Sequence, residues 1–498
     1  MKIAYFTPIN PQQSGISDFA EELLPGLSQY ARIDLFTDGI IPDNPAIRSA
    51  FRVYDIQDYD NASLRSTYDM AVFQVGNNYM GHRTIVNCFL KHGGILELHD
   101  VSLHHFLASL TLANDNRELY DRIIKYCHGR KGLEAAQEFF DGSAGSLWEN
   151  RAIEFPVNRY LIDRADAVIV HSDFARQMII SINPLVPTVC IPLGTSDIVL
   201  NHRRFRNECR GNLQIDEDLL VFGSFGFATP TKRIIQILEA LALYRKNKSD
   251  RFIYYVVGSV ADPSILSRIK KLQLGSHVVI TNFVTLDDFK VYMGACDICF
   301  NLRYPTQGES SAALHRMLGM GKPSLVTDVG SFSEYPDDVV YKIPYDENEV
   351  GNIYKAICEW TVNDEEILKR ADSALKFARE NFDIEKLAKD YFHFFSDYHD
   401  STFAPNFDDI LISRLTQAVG CDAERLEEVS SRVESAIQHL YDKSDYEGLV
   451  CIPRAISNHL AIRLVELDII ENEYVQHLSE RCSYTAGDNT GHPAGEAP

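Results

Sequence analysis

Short apolar runs recur along this chain in two series, and their spacing limits what it can fold into. The first series is "KIAYFTP" (2–8), "IDLFT" (33–37), "MAVFQVG" (70–76), "GILELHD" (94–100), "DAVIVHS" (166–172) and "TVCIPLG" (188–194). The second is "LLVFGSFG" (219–226), "FIYYVVGS" (252–259), "HVVITNFV" (277–284), "DICFNLR" (297–303), "PSLVTDVG" (323–330) and "VVYKIP" (339–344). Runs rich in Val, Ile, Phe and Leu, apolar on both faces, suit parallel strands covered by helices on either side. Helical patterns lie between them. In "SDFAEELLPGLSQY", Ser17 is a candidate N-cap and Phe19, Leu23 and Leu24 share one face. The pattern predicts an α/β protein with two doubly wound sheets.

At 498 residues the chain exceeds one ordinary core. The two series predict domains at 1–200 and 201–382, joined through the polar stretch 195–218. An amphipathic helix is expected over 383–400, a helical extension over 401–483, and a Gly/Pro-rich disordered tail over 484–498. The net charge of −22 argues against a broad nucleic-acid surface. Cysteines are scattered; Cys296 and Cys299 have CxxC spacing but fall in an apolar run, so they read as core residues and no metal site is expected. Free thiols suit a reducing cytoplasm. "MKIAYFTPI" reads as a first strand, not a signal peptide, and no run of about 18 apolar residues would span a membrane.

Polar residues gather where the strands should end. After the first strand, Gly15 opens a helix and lets a ligand approach backbone N–H groups; an ordinary strand–helix turn fits as well. "LELHDVSLHHF" ends a strand in His99 and Asp100, with Ser102, His104 and His105 close behind. His171 and Ser172 repeat the device, with Arg176 following. In the second half, Lys232 opens a helix. A lysine opposes the macrodipole there unless an anion binds, although a surface lysine with its head in water is the plain alternative. "YPTQGESSAALHRMLGMG" places Gly308 and Glu309 at a strand mouth and Ser310 and Ser311 at a helix start. Free N–H groups and hydroxyls there would accept a phosphate, and the carboxylate would accept sugar hydroxyls, with Lys232 or Arg303 offsetting its charge. A capped helix explains the same residues. No GxGxxG follows either first strand, which argues against a dinucleotide oxidoreductase.

Over roughly residues 1–398 the sequence resembles the GT-B glycosyltransferases of family 4, the group 1 glycosyltransferases. The resemblance rests on the Gly15 turn, "LHD" (98–100), "VIVHSDFAR" (168–176), "IPLG" (191–194), "FGFATPTKR" (225–233) and "GESSAALHRMLGMGKPSLVTDVG" (308–330). It implies two Rossmann-like domains that close on a nucleotide-diphosphate sugar, with the donor on the C-terminal domain and a glycan or lipid-linked acceptor on the other. It implies transfer with retention, no metal and no cofactor beyond the co-substrate, in cell-surface polysaccharide assembly at the cytoplasmic side. The helix after residue 382 resembles the family's closing helix, which returns to the N-terminal domain.

By this resemblance His99, Glu309 and Lys232 are the catalytic candidates. Gly15, Asp100, Arg303, Gly308, Ser310 and Ser311 are the donor-binding candidates. Two departures stand out. The second glutamate of the family's donor motif falls on Arg316 and the first on Gly308, so that Glu309 is displaced from it by one, and the arginine of the phosphate pair falls on Phe227, with Arg303 as the compensating cation. A binder of nucleotide sugars or glycans that has lost turnover therefore stays open as a second reading. The basic stretch 120–136 is a candidate for peripheral contact with an anionic membrane, although a solvated helix face explains it too. The helices beyond 401 are candidates for oligomer or partner contacts.

Overall fold

The computed structural model describes residues 1–400 apart from positions 185, 261 and 363. The expected extension over 401–483 and the tail lie outside the described residues. Within them the two series form two separate, wholly parallel sheets. The first contains β1 (Lys2–Phe6), β2 (Arg32–Thr37), β3 (Arg52–Asp55), β4 (Met70–Val75), β5 (Gly94–Leu98), β6 (Ala165–Val170) and β7 (Thr188–Cys190). Its order is β3-β2-β1-β4-β5-β6-β7. The second contains β8 (Leu220–Phe225), β9 (Phe252–Val257), β10 (Val278–Asn282), β11 (Ile298–Asn301), β12 (Ser324–Thr327) and β13 (Val340–Ile343), in the order β10-β9-β8-β11-β12-β13. This is the expected α/β class with two doubly wound, Rossmann-like domains. In both sheets the order reverses beside the first strand, so a crevice opens at the carboxyl ends there.

Each sheet is buried on both faces. In β4, all six residues are buried; Val72 joins the cluster on one face and Phe73 the cluster on the other. In the second sheet, Phe222 and Val221 divide between two clusters in the same way. Alternate side chains of a strand point to opposite faces, so such strands must be apolar throughout.

Three local expectations change. The strand Arg52–Asp55 was not expected. It is a sheet edge with no buried residue, so its sequence "RVYD" lacks the apolar run of the central strands. The first helix runs Gly15–Leu27 and is capped by Ser14, whose hydroxyl accepts from the Ser17 N–H; Ser17 lies inside the helix and donates to the Gln12 carbonyl. The polar stretch after 195 is not a bare linker. It contains the helix His202–Leu213, whose Arg210 is buried and donates to Asp297 at 2.6 Å and to four backbone carbonyls.

The last described helix, Ile384–Asp400, returns to the first sheet. Its Ile384, Leu387, Ala388, Tyr391 and Phe395 pack with Ile3, Tyr5 and Leu23 of the N-terminal half. Gly194 allows the close approach, since a Cβ there would stand 2.4 Å from the Ile384 Cδ1 and 3.1 Å from its Cα. No helix among the described residues is long and apolar enough to cross a membrane.

Candidate active site

A cleft of about 560 Å³ lies between the halves, lined by the carboxyl ends of strands from both sheets. Of the nine site residues expected from the sequence, His99, Asp100, Gly15, Lys232, Arg303, Glu309, Ser310 and Ser311 all line it. Gly308 does not. It adopts φ +74°, and a Cβ there would stand 2.7 Å from the Val101 Cβ, so it seats the second half's loop against the first half instead. Neighbouring backbone does the same work: the Ser102 N–H donates to the Gln307 carbonyl at 2.8 Å.

On the second-sheet side, Lys232 follows β8. Its ammonium donates to the Phe225 carbonyl. No carboxylate among the described residues lies within ion-pair distance of it. Burial pushes its pKa well below the ordinary lysine value, and the neighbouring Arg303 guanidinium pushes the same way. Arg303 follows β11. Its guanidinium is 3.5 Å from Glu309 and donates to the Leu302 carbonyl at 3.1 Å. Burial lowers its pKa and Glu309 opposes the shift.

Glu309 is held by its own turn. Its Oε2 accepts from the Gln307 N–H at 2.7 Å and from the Thr306 hydroxyl at 2.9 Å, leaving Oε1 toward Arg303. The serine hydroxyls are also engaged. Ser310 donates to the His171 carbonyl across the cleft at 3.1 Å. Ser311 caps the helix Ala312–Gly319, accepts from the Leu314 N–H and donates to Asn301 at 2.9 Å. What this turn can offer an anion is therefore mainly the N-terminal N–H groups of that helix.

Arg316 sits one turn further along. It is 6% exposed, and its guanidinium pairs with Glu22 of the first helix and with Asp197. Asp197 is also 2.8 Å from Lys290. By the resemblance Arg316 stands where the family has its second glutamate; the structure makes it a cross-link between the halves. Phe227, at the position of the missing phosphate arginine, is 53% exposed and faces the cleft, as does Phe283 at 55%.

On the first-sheet side, His99 and Asp100 follow β5. The Asp100 Oδ2 accepts from the Asn77 N–H at 2.8 Å. Burial raises the Asp100 pKa to about 7, the N–H of Asn77 opposes the rise, and Glu309 across the cleft adds to it. His99 is buried, and its Nε2 has no hydrogen-bond partner. Burial, then the nearby His171 and His82, hold its pKa well below the ordinary histidine value. His171 is held down to about 4, again by burial. His104, by contrast, bonds Phe155 and Tyr120 in the core behind the site, and Arg176 pairs with Asp173.

Glu97 escaped the sequence reading, although a carboxylate inside the run "GILELHD" was a signal. Its ligand atom and those of His99 and His171 lie within 4.8 Å of one another, the one such group among the described residues that could hold a metal ion.

Residues 205–376 match the family described as glycosyl transferases group 1. No curated protein matches the chain. Among solved structures it is similar to sucrose-phosphate synthase from Thermosynechococcus elongatus, with a TM-score of 0.58 and 15% identity over 80% of this chain and 100% of that one. It is similar to HepE from Anabaena in complex with UDP and glucose, with a TM-score of 0.54 and 16% identity over 80% and 99% of the two chains. WaaG, a glycosyltransferase involved in lipopolysaccharide biosynthesis, gives a TM-score of 0.53 and 14% identity over 78% and 98%. At such identities the likeness is one of fold.

Proposed function

We propose that the protein, whose residues 205–376 match the group 1 glycosyl transferases and whose fold is similar to GT-B structures, transfers a sugar from a nucleoside-diphosphate sugar to a hydroxyl of a glycan or lipid-linked acceptor. The observation that carries this reading is Lys232. A partly buried ammonium, bonded to a carbonyl and set beside a second cation, is electrostatically incomplete without an anion. A diphosphate supplies one.

Lys232, Arg303 and the N–H groups opening the helix Ala312–Gly319 would stabilise the negative charge that grows on the leaving diphosphate. Glu309 would hold Arg303 in place and orient donor hydroxyls with its remaining lone pairs. His99, across the cleft, would bond a hydroxyl of the transferred sugar. The exposed faces of Phe227 and Phe283 suit a planar base. Asp100 and the Gly15 turn would bound the donor from the first half, with Asn77 beside them. Closure of the two halves would exclude water and limit hydrolysis. Retention of configuration, the absence of a metal requirement, a role in polysaccharide assembly and a cytoplasmic site of action complete the proposal; they rest on the family resemblance.

The test is a panel of nucleoside-diphosphate sugars, led by UDP-glucose because HepE was solved with it. Melting temperature reports binding and released nucleoside diphosphate reports turnover. The expected result is that at least one donor raises the melting temperature and is consumed when acceptor glycans are added. The replacements at Arg316 and Phe227 favour a binder without turnover as the second reading. Donor binding with no diphosphate released for any acceptor would select it, and no donor binding at all would overturn both.

A further inference from the structure

Behind His99 lies a buried polar cluster that the proposed chemistry leaves unused. Glu97, on the central strand β5, is fully buried. Its carboxylate accepts from the Tyr5 hydroxyl at 2.8 Å, the Gln74 amide at 3.1 Å and the Tyr391 hydroxyl at 2.7 Å. Burial raises its pKa and the three donors oppose the rise; with two hydroxyls and an amide donating to it, the carboxyl group acts here as an acceptor. Tyr391 comes from the returning helix Ile384–Asp400.

Two imidazole nitrogens face the same carboxylate oxygen. The His99 Nε2 is 3.8 Å and the His171 Nε2 3.7 Å from the Glu97 Oε1, and neither nitrogen has a hydrogen-bond partner. The tautomer of His171 is fixed from its other side. Its Nδ1 lies 2.8 Å from the Ile191 carbonyl, so Nδ1 carries the hydrogen and Nε2 presents a lone pair. Neither Glu97 nor His171 can then supply a hydrogen to the space between them. If His99 carried its hydrogen on Nδ1, three lone-pair-bearing atoms would meet in a buried site. A hydrogen on the His99 Nε2 removes that conflict and leaves Nδ1 as the acceptor of a residue that lines the cleft.

We propose that Glu97 is a positioning residue that fixes His99 in its Nε2–H tautomer, so that Nδ1 accepts a hydrogen bond from a hydroxyl of the bound sugar, and that Tyr391 ties the returning helix to this assignment. The step moves no covalent bond. It sets which nitrogen is a donor before the sugar arrives. The substrate half of the inference rests on the proposed transferase reading; the tautomer half does not.

The test uses the full chain labelled with ¹⁵N-histidine, with His99→Gln to assign the resonances. In the parent, the two-bond ¹H–¹⁵N pattern of His99 should be that of Nε2–H. In Glu97→Gln it should shift toward Nδ1–H, with kcat falling roughly 10- to 100-fold and KM nearly unchanged. That is less than the loss seen when a wrong tautomer disables a histidine that must itself take the proton. Tyr391→Phe keeps the ring and should lower kcat only a few-fold, which guards against a Glu97 variant that fails to fold. Failure of the parent to turn over any donor would fail the transferase reading but leave the tautomer measurable. An Nδ1–H pattern in the parent would overturn the inference. So would an unchanged pattern and turnover in Glu97→Gln. A zinc ion retained by the parent, with turnover lost to a chelator, would assign the cluster to a metal and overturn it too.

Discussion

The two lips of the cleft are built by the same strand grammar and carry opposite chemistry. Both are carboxyl ends of parallel strands next to a reversal in strand order. The second-sheet lip presents three cations, Lys232, Arg303 and Arg316, and one carboxylate, Glu309. The first-sheet lip presents Asp18, Asp100 and the neutral rings of His82 and His99, and among the described residues that line it there is no lysine or arginine. The folds of the two halves are alike because apolar period and strand length dictate them. The lips differ because the few residues just past each strand answer to no packing rule. A cationic lip facing a neutral-to-acidic one suits a substrate with a charged end and a hydroxylated end.

The largest break in this comparison concerns Arg316, the cation of the second lip that pairs with two carboxylates. Arg316→Glu would set a third carboxylate beside Glu22 and Asp197 in a buried site. Removing one partner of a buried ion pair costs about 3–5 kcal/mol, and the substitution also adds like-charge repulsion. The expected outcome is a cooperative loss of stability by denaturant titration, with the two halves no longer held together. A variant as stable as the parent, with tighter nucleotide binding, would make position 316 part of the donor site and remove the cross-link from the argument.

Lys232→Met acts on the same lip through the ligand. Donor affinity by calorimetry should fall by roughly 1.5–3 kcal/mol, the scale of a charged hydrogen bond. The ligand-free melting temperature should not fall, because the ammonium's one protein bond is to a carbonyl and its burial beside Arg303 is unfavourable. A large loss of ligand-free stability with donor affinity unchanged would mean that Lys232 serves the fold, and the contrast between the lips would lose its main support.

How far these lips were legible in the sequence follows from the same distinction. All six strands of the second sheet and all but β3 of the first fall on apolar runs, including the edge strands β7 and β10, which have no buried residue but carry valine and isoleucine. β3 stayed hidden because its sequence "RVYD" has a single aliphatic residue between charged ones and no run to display. Strand-end residues were also legible: His99, Asp100, Lys232, Arg303 and Glu309 face one cleft. Partnerships were not. That Arg316 reaches Glu22, or that Tyr391 reaches back to Glu97, depends on contacts between residues nearly three hundred positions apart, which no local pattern encodes. Gly308 was misplaced for the same reason. Its neighbours suggested a ligand turn, and its real partner is Val101 of the other half.

The smallest expected effect tests the first lip through protons. Burial lifts the pKa of Asp100 in the folded protein from an ordinary 3.8 to about 7. Below pH 3.8 the group is protonated in both folded and unfolded chains, and its burial is then tolerated. As pH rises toward 7 the unfolded chain ionises first, so the folded state loses stability relative to it, and the loss is complete above 7. Asp100→Asn keeps an oxygen for the Asn77 N–H and removes the ionisation. The variant should match the parent near pH 4 and exceed it at pH 8. A full three-unit shift would correspond to about 4 kcal/mol. Asp100 is only partly buried at the cleft wall, so roughly 1–2 kcal/mol is the expected gain after solvent screening. Donor occupancy should sharpen the difference, because a diphosphate on the cationic lip adds negative charge opposite the same carboxyl. A stability difference that stays constant from pH 4 to pH 8 would mean that Asp100 ionises like an exposed carboxyl. The first lip would then be acidic at neutral pH, and its acceptor would have to tolerate or recognise that charge.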